Sequence, residues 1–132
     1  GLISPKKEKA FTADWIRKLN IRTVSARKKV SALSGGNQQK VVMAKWLATS
    51  PDVLLLNEPT RGVDVGAKSE IYAIIDQMMT EGKGVLVVSS DLPEVLGISD
   101  RVYVFCEGKI AGEFKRGQIT SQALLESALG GV

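Results

Sequence analysis

The sequence predicts an α/β layered domain: parallel core strands with flanking helices, followed by a C-terminal β-hairpin. Two short continuous apolar runs, "DVLLL" and "GVLVVSS", have the length and composition of strands covered on both faces. Between them Ile71, Ile74, Ile75, Met78 and Met79 recur at helical spacing. After them "RVYVFCEGKIAGEF" divides into two strand-like runs around Glu107-Gly108, the pattern of an antiparallel hairpin. Strands alternating with helices make an α/β layer. Two core strands and a hairpin are a meagre sheet, so the expectation is part of a larger domain.

Taken in order, "FTADWIRKLN" spaces Phe11, Trp15, Ile16 and Leu19 for a helix, with Thr12 as its cap. Residues 22–30 are basic and irregular, a connection. "LSGG" then opens a helix on which Val41, Ala44, Leu47 and Ala48 share a face, stopped by Pro51. Phe11, Trp15 and Trp46 read as packing residues, and Cys106 as a small buried apolar residue within a strand. The helix from Gly66 ends at Glu81-Gly82. "DLPEVLGISD" is a short helix with Pro93 in its first turn. The last helix, capped by Thr120 or Ser121, closes on two glycines and packs back on the sheet.

Composition excludes several chemistries. The 132 residues contain no histidine and one cysteine, so histidine-based catalysis, an internal disulfide and a Cys/His zinc site are all absent. No apolar run reaches the roughly 18–20 residues of a membrane span, and no signal peptide is expected. The net charge of +4 is uneven: residues 1–50 balance at +9 and residues 51–132 at −5. The basic part suits nucleic acid, anionic lipid or nucleotide phosphate, and equally a solvated helix face.

Two stretches carry chemistry. In "VLLLNEPTRGVD" an apolar strand ends on Asn57-Glu58 and breaks at Pro59 and Gly62. A carboxylate at the C-terminal tip of a core strand sits where α/β sheets bind ligands; in nucleotide hydrolases that place serves magnesium and the attacking water. The alternative is a Glu58 that merely caps a turn. In "LSGGNQQK", Ser34 and two glycines open a helix, so that bare backbone N–H groups and a hydroxyl can approach an anion at the positive end of the helix dipole. "SGG" is also a common flexible turn. "GVDVGAKS" has phosphate-loop-like spacing but follows the Glu58 strand and carries Ala67 where glycine belongs; Lys68 is expected to face outward from a helix.

Together these residues resemble the ATP-binding cassette family from about Phe11 to the end. "LSGGNQQK" resembles the signature motif, "VLLLNEPT" the Walker B strand with its glutamate, "RGVD" the D-loop, and "VLVVSSDLPEVLGISDRVYVFCEGKIAGEF" the switch-loop strand and following hairpin. "NEPTRGVDVGAKSEIY" and "SSDLPEVLGISDR" resemble the second nucleotide-binding half of ribose/galactose/xylose-type importers. The resemblance implies a partial P-loop NTPase domain that lacks its phosphate-loop portion. About 1–50 would be helical subdomain and signature helix; about 51–132 would be Walker B strand, D-loop, switch loop and C-terminal hairpin and helix.

It implies Glu58 as the catalytic base that orients water. Ser34, Gly35, Gly36, Asn37, Asn57, Asp64 and Ser90 would be nucleotide-contacting, with Asn57 a weak magnesium ligand acting through water. ATP and magnesium would bind only in a complete, dimerised cassette, so this chain alone is expected to bind ATP poorly and not to hydrolyse it. The implied partners are a second nucleotide-binding domain, permease subunits and, indirectly, a periplasmic or extracellular sugar-binding protein. The implied place is peripheral, on the cytoplasmic side of the cell membrane, with no nucleic acid bound. Asn57 stands where an aspartate is usual, and Ser90 where a histidine is usual. These departures keep open a catalytically degenerate regulatory half-site; a soluble cassette acting on nucleic acid or ribosomes is the other alternative.

Overall fold

The computed structural model describes residues 4–130, which fall into two compact units divided between Val87 and Val88. In the first unit α1 (Pro5–Lys18) and a short 3-10 turn (Val30–Ala32) precede α2 (Gly35–Leu47), β1 (Val53–Asn57), α3 (Val65–Thr80) and β2 (Gly84–Val88). The second contains α4 (Leu92–Ile98), β3 (Arg101–Cys106), β4 (Lys109–Lys115) and α5 (Ser121–Ala128).

Helix α1 begins a full turn earlier than the apolar spacing predicts. Pro5 fits the first turn, where its missing N–H costs nothing, and Ser4 takes the cap position. The "KKEK" run is polar yet made of good helix formers, so Thr12 lies inside the helix instead of capping it. No residue of α1 is buried, and Phe11 is 56% exposed. That overturns its reading as a packing residue; Trp46 at 53% goes the same way. A lysine lies over each tryptophan ring: Lys18 Nζ sits 5.1 Å from the centroid of half-buried Trp15, and Lys45 Nζ 5.3 Å from that of Trp46.

The helix ends in a Schellman turn. Asn20 takes the left-handed φ of +48°, Asn20 N–H donates to the Arg17 carbonyl, and Ile21 N–H donates to that of Ile16 at 2.9 Å. Leu19 and Ile21 thereby turn inward and are buried. The same device ends α3: Gly82 has φ +81°, and Lys83 N–H reaches the Met78 carbonyl at 3.0 Å. Gly84 N–H then donates to the Asp52 carbonyl at 2.8 Å. The starts of β1 and β2 therefore lie at one end of their two-stranded sheet, the parallel arrangement that a helical crossover requires.

Ile71, Ile74, Ile75 and Met78 of α3 are buried, as their spacing predicts. On α2 the buried residues are Gly36, Lys40, Met43 and Ala44; of the predicted face Ala44 is buried, while Val41, Leu47 and Ala48 are half-buried. The strands depart further. Leu54 is buried, but Val53 is 60%, Leu55 70% and Leu86 56% exposed. Strands composed to be covered twice are covered here on one face by the described residues.

In the second unit β3 and β4 pair antiparallel about Glu107 and Gly108, whose φ values of +47° and +77° are those of a primed hairpin turn. Cys106 is half-buried there, less enclosed than expected. Thr120 caps α5 by accepting from Ala123 N–H at 3.2 Å, and Leu124 is the buried residue with which α5 packs against the hairpin. The predicted closing pair of glycines includes Gly131, which lies outside the described residues.

Among the described residues no helix is long and apolar enough to cross a membrane.

Candidate functional site

The tip of β1 turns abruptly. Asn57 is the last strand residue and exposed, Glu58 follows half-buried, and Pro59 and Thr60 are buried. Glu58 adopts φ +47°, a conformation that costs a side-chain-bearing residue roughly 1–2 kcal/mol. Arg61 N–H donates to the Glu58 carbonyl at 3.1 Å and Val63 N–H to that of Thr60 at 3.1 Å, so two successive turns hold it. Asp64 closes the loop as the cap of α3, accepting from Ala67 N–H at 2.9 Å.

The turn that opens α2 packs against this loop. A Cβ placed on Gly35 would lie 3.1 Å from the Gly62 carbonyl oxygen, and one on Gly36 would lie 2.5 Å from Ala67 Cβ. Ser34 is the cap residue and exposed, but its hydroxyl accepts no capping bond from the backbone of its helix. Instead Asn37 Nδ2 donates to Ser34 Oγ at 2.8 Å, while Arg22 N–H donates to Asn37 Oδ1 at 2.7 Å. The N–H groups of Gly35 and Gly36 fall in the first helical turn, which leaves them without intrahelical acceptors. Exposed hydroxyl, free N–H groups and helix dipole together suit an anion such as a phosphate.

Ser34, Gly35, Gly36 and Asn37 are thus gathered with the loop carrying Gly62 and Asp64 in one unit, which also holds Asn57 and Glu58. Ser90 belongs to the second unit, exposed, next to Ser89 and the α4 cap Asp91. Lys68 is half-buried, less outward than expected. One pair escaped the sequence reading: buried Lys40 donates from Nζ to Glu70 Oε2 and to the Asn20 carbonyl at 3.0 Å, with Arg22 Nη2 at 3.6 Å from Glu70 Oε1. The signal was its position, four residues after Gly36 and three before Met43, on the buried stripe of α2.

The Lys40 hydrogen bond holds the Glu70 carboxyl below its ordinary value of 4.5, against partial desolvation, with the charges of Lys40 and Arg22 assisting and Asp64 opposing. A lowered folded pKa gives stability that is complete above pH 4.5 and lost as pH falls through the folded value. Urea midpoints of wild type and Glu70→Gln should therefore differ at pH 7 and converge below pH 4.5; a constant gap would remove the pair from this role.

The strand-tip acid beside a glycine-rich helix start defines the class as an α/β nucleotide-binding domain. Solved structures agree. An ADP-bound form of the cassette MJ1267 superposes with a TM-score of 0.77 at 26% identity, over 98% of this chain and 52% of that one. A post-hydrolysis dimer of the cassette MJ0796 with ADP and phosphate gives 0.75 at 26% identity, over 87% of this chain and 50% of that one. The ABC transporter family model matches residues 5–61. The chain is 54% identical over 130 residues to the ribose import ATP-binding protein RbsA of Yersinia pestis and 51% identical over 131 residues to that of Bacillus cereus (strain ZK / E33L). These alignments take in 98% and 99% of this chain. The chain belongs to the ATP-binding cassette family. It spans about a quarter of the length of these relatives, 26% in each case.

Proposed function

We propose that this chain is the C-terminal part of the second nucleotide-binding domain of a monosaccharide importer, and that the whole protein couples ATP hydrolysis to uptake through a membrane permease. The observation that carries this is the 54% identity to a ribose import ATP-binding protein across 98% of the chain. The bare apolar face of β1 and β2, with Leu55 70% exposed, suits a sheet that further layers of a cassette would cover. The N-terminal third serves as helical subdomain and signature helix, the remainder as catalytic core, at the cytoplasmic face of the membrane.

In this reading Glu58 is the base that draws a proton from the attacking water. Ser34 and the N–H groups of Gly35 and Gly36 bind the terminal phosphate of ATP held chiefly by the opposing cassette, Asp64 shapes the loop at that interface, and Ser90 hydrogen-bonds phosphate in place of the usual imidazole. Magnesium supplies charge neutralisation of the phosphates. Asn57 offers only a neutral carbonyl oxygen, so it fits a water of the ion rather than the ion itself. Asn57→Asp is accordingly expected to tighten magnesium binding by about tenfold and raise turnover. A magnesium titration of ATPase activity checks it, and an unchanged midpoint would exclude Asn57 from the metal's surroundings.

The direct test reconstitutes the full chain with its permease in liposomes. ATP turnover should rise with sugar-loaded binding protein. Turnover indifferent to the permease but stimulated by RNA or DNA would replace the importer with a nucleic-acid ATPase.

A further inference from the structure

Asn37 occupies a position first read as nucleotide-contacting, yet both ends of its amide are already engaged inside the chain. The Arg22 backbone N–H can only donate, so the atom it meets at 2.7 Å must be the Asn37 oxygen. That fixes the amide, leaving Nδ2 facing Ser34 Oγ at 2.8 Å. An amide NH₂ has no acceptor capacity, so the Ser34 oxygen accepts and its own proton stays available for another partner. We infer that Asn37 is a positioning residue that holds the exposed Ser34 hydroxyl as a hydrogen-bond donor towards phosphate, and is not itself a nucleotide ligand.

The anchor of this relay is part of the fold. Arg22 follows the Schellman turn at Asn20, whose carbonyl accepts from buried Lys40 at 3.0 Å. The Arg22 guanidinium lies 3.6 Å from Glu70, which Lys40 also engages. Segment 20–22 is thereby tied to both α2 and α3, and its N–H is presented to Asn37 by backbone placement rather than by a free side chain. Polarity runs one way along the chain Arg22 N–H, Asn37, Ser34, outward.

The inference rests on the reading that Ser34 meets a terminal phosphate, and a change of polarity without a change of shape tests it. In Asn37→Asp one carboxylate oxygen still accepts from Arg22, but the other can only accept, so Ser34 must turn its proton inward. The measurement is kcat and KM for ATP of the full chain reconstituted with its permease, for N37D, S34A, the double variant, N37A and E58Q. N37D and S34A should each lower kcat by roughly a hundredfold, as loss of one donor to a reacting phosphate does, with KM little changed. The double variant should be no slower than the slower single variant. N37A should be milder than N37D, because it leaves the Ser34 proton free, whereas a purely structural role would rank it at least as severe.

Wild-type turnover in N37D, or losses that multiply in the double variant, would overturn the relay; multiplication would mean that the new charge repels nucleotide independently of Ser34. S34A separates the two levels, with E58Q as the base-deficient control. An S34A variant with wild-type turnover refutes the reading that Ser34 meets the phosphate, while an impaired S34A beside an active N37D refutes the relay alone.

Discussion

Glu58→Gln in the full chain is expected to lower ATP turnover by about a thousandfold or more while ATP binding persists, since general-base catalysis contributes roughly 10²–10⁴. Gln keeps the size and most hydrogen bonds of the side chain and removes only the basicity. Glu58 is also, with Asn20 and Ser50, a residue of the first unit where local preference and position conflict. A non-glycine residue at φ +47°, fixed between the last strand residue and buried Pro59, is unfavourable by itself. Glycine would relieve that strain, and a carboxylate at this strand tip suits a chemical duty. Single-turnover hydrolysis with equilibrium ATP binding on the same sample checks the expectation. A Gln variant that binds ATP and turns over within tenfold of wild type would assign the base elsewhere.

How far the sequence reaches can be seen residue by residue. Helix α3 was legible in its apolar face and its end, because its buried residues repeat at the period of the helix and Gly82 takes the left-handed position, whereas the capping role of Asp64 was not read from the sequence. The hairpin was legible for a similar reason: Glu107-Gly108 needs no information beyond its neighbours. What failed were properties set by distant parts of the chain. Val53 and Leu55 have the composition of a doubly covered strand, and composition does not say which residues supply the second cover. The start of α1 was hidden because charged helix formers carry no apolar periodicity. Lys40 has a burial partner thirty positions along the chain in Glu70, and only folding brings them together. At the candidate site the residue types were visible, but the bond between Arg22 and Asn37, which decides how the amide faces, spans an irregular loop that no pattern predicts.

The two glycines that open α2 show how one residue type can serve two different needs. Bare backbone at Gly35 and Gly36 is expected to serve close approach of a phosphate, and Gly35 is exposed and free to do so. Gly36 is buried, and the space its side chain would fill belongs to Ala67, whose Cβ would lie 2.5 Å from the added atom. Val63 Cγ1, at 3.5 Å, bounds the same space. Gly36→Val is therefore expected to destabilise the full chain by roughly 3 kcal/mol, the upper part of the range for overpacking, which is a large share of typical domain stability. It should also disturb turnover by displacing Ser34 from the loop that follows Glu58. Ala67→Gly should recover part of the loss. A thermal double-mutant cycle isolates the contact, because helix-propensity changes at the two positions are additive and cancel, leaving a favourable coupling of about 1–3 kcal/mol. Zero coupling, with Gly36→Val as stable as wild type but inactive, would make approach of the phosphate, and not contact with α3, the reason Gly36 lacks a side chain. Coupling of the expected size would mean that α2 and α3 meet through the missing side chain, so that the turn opening α2 and the strand-tip glutamate move as one body.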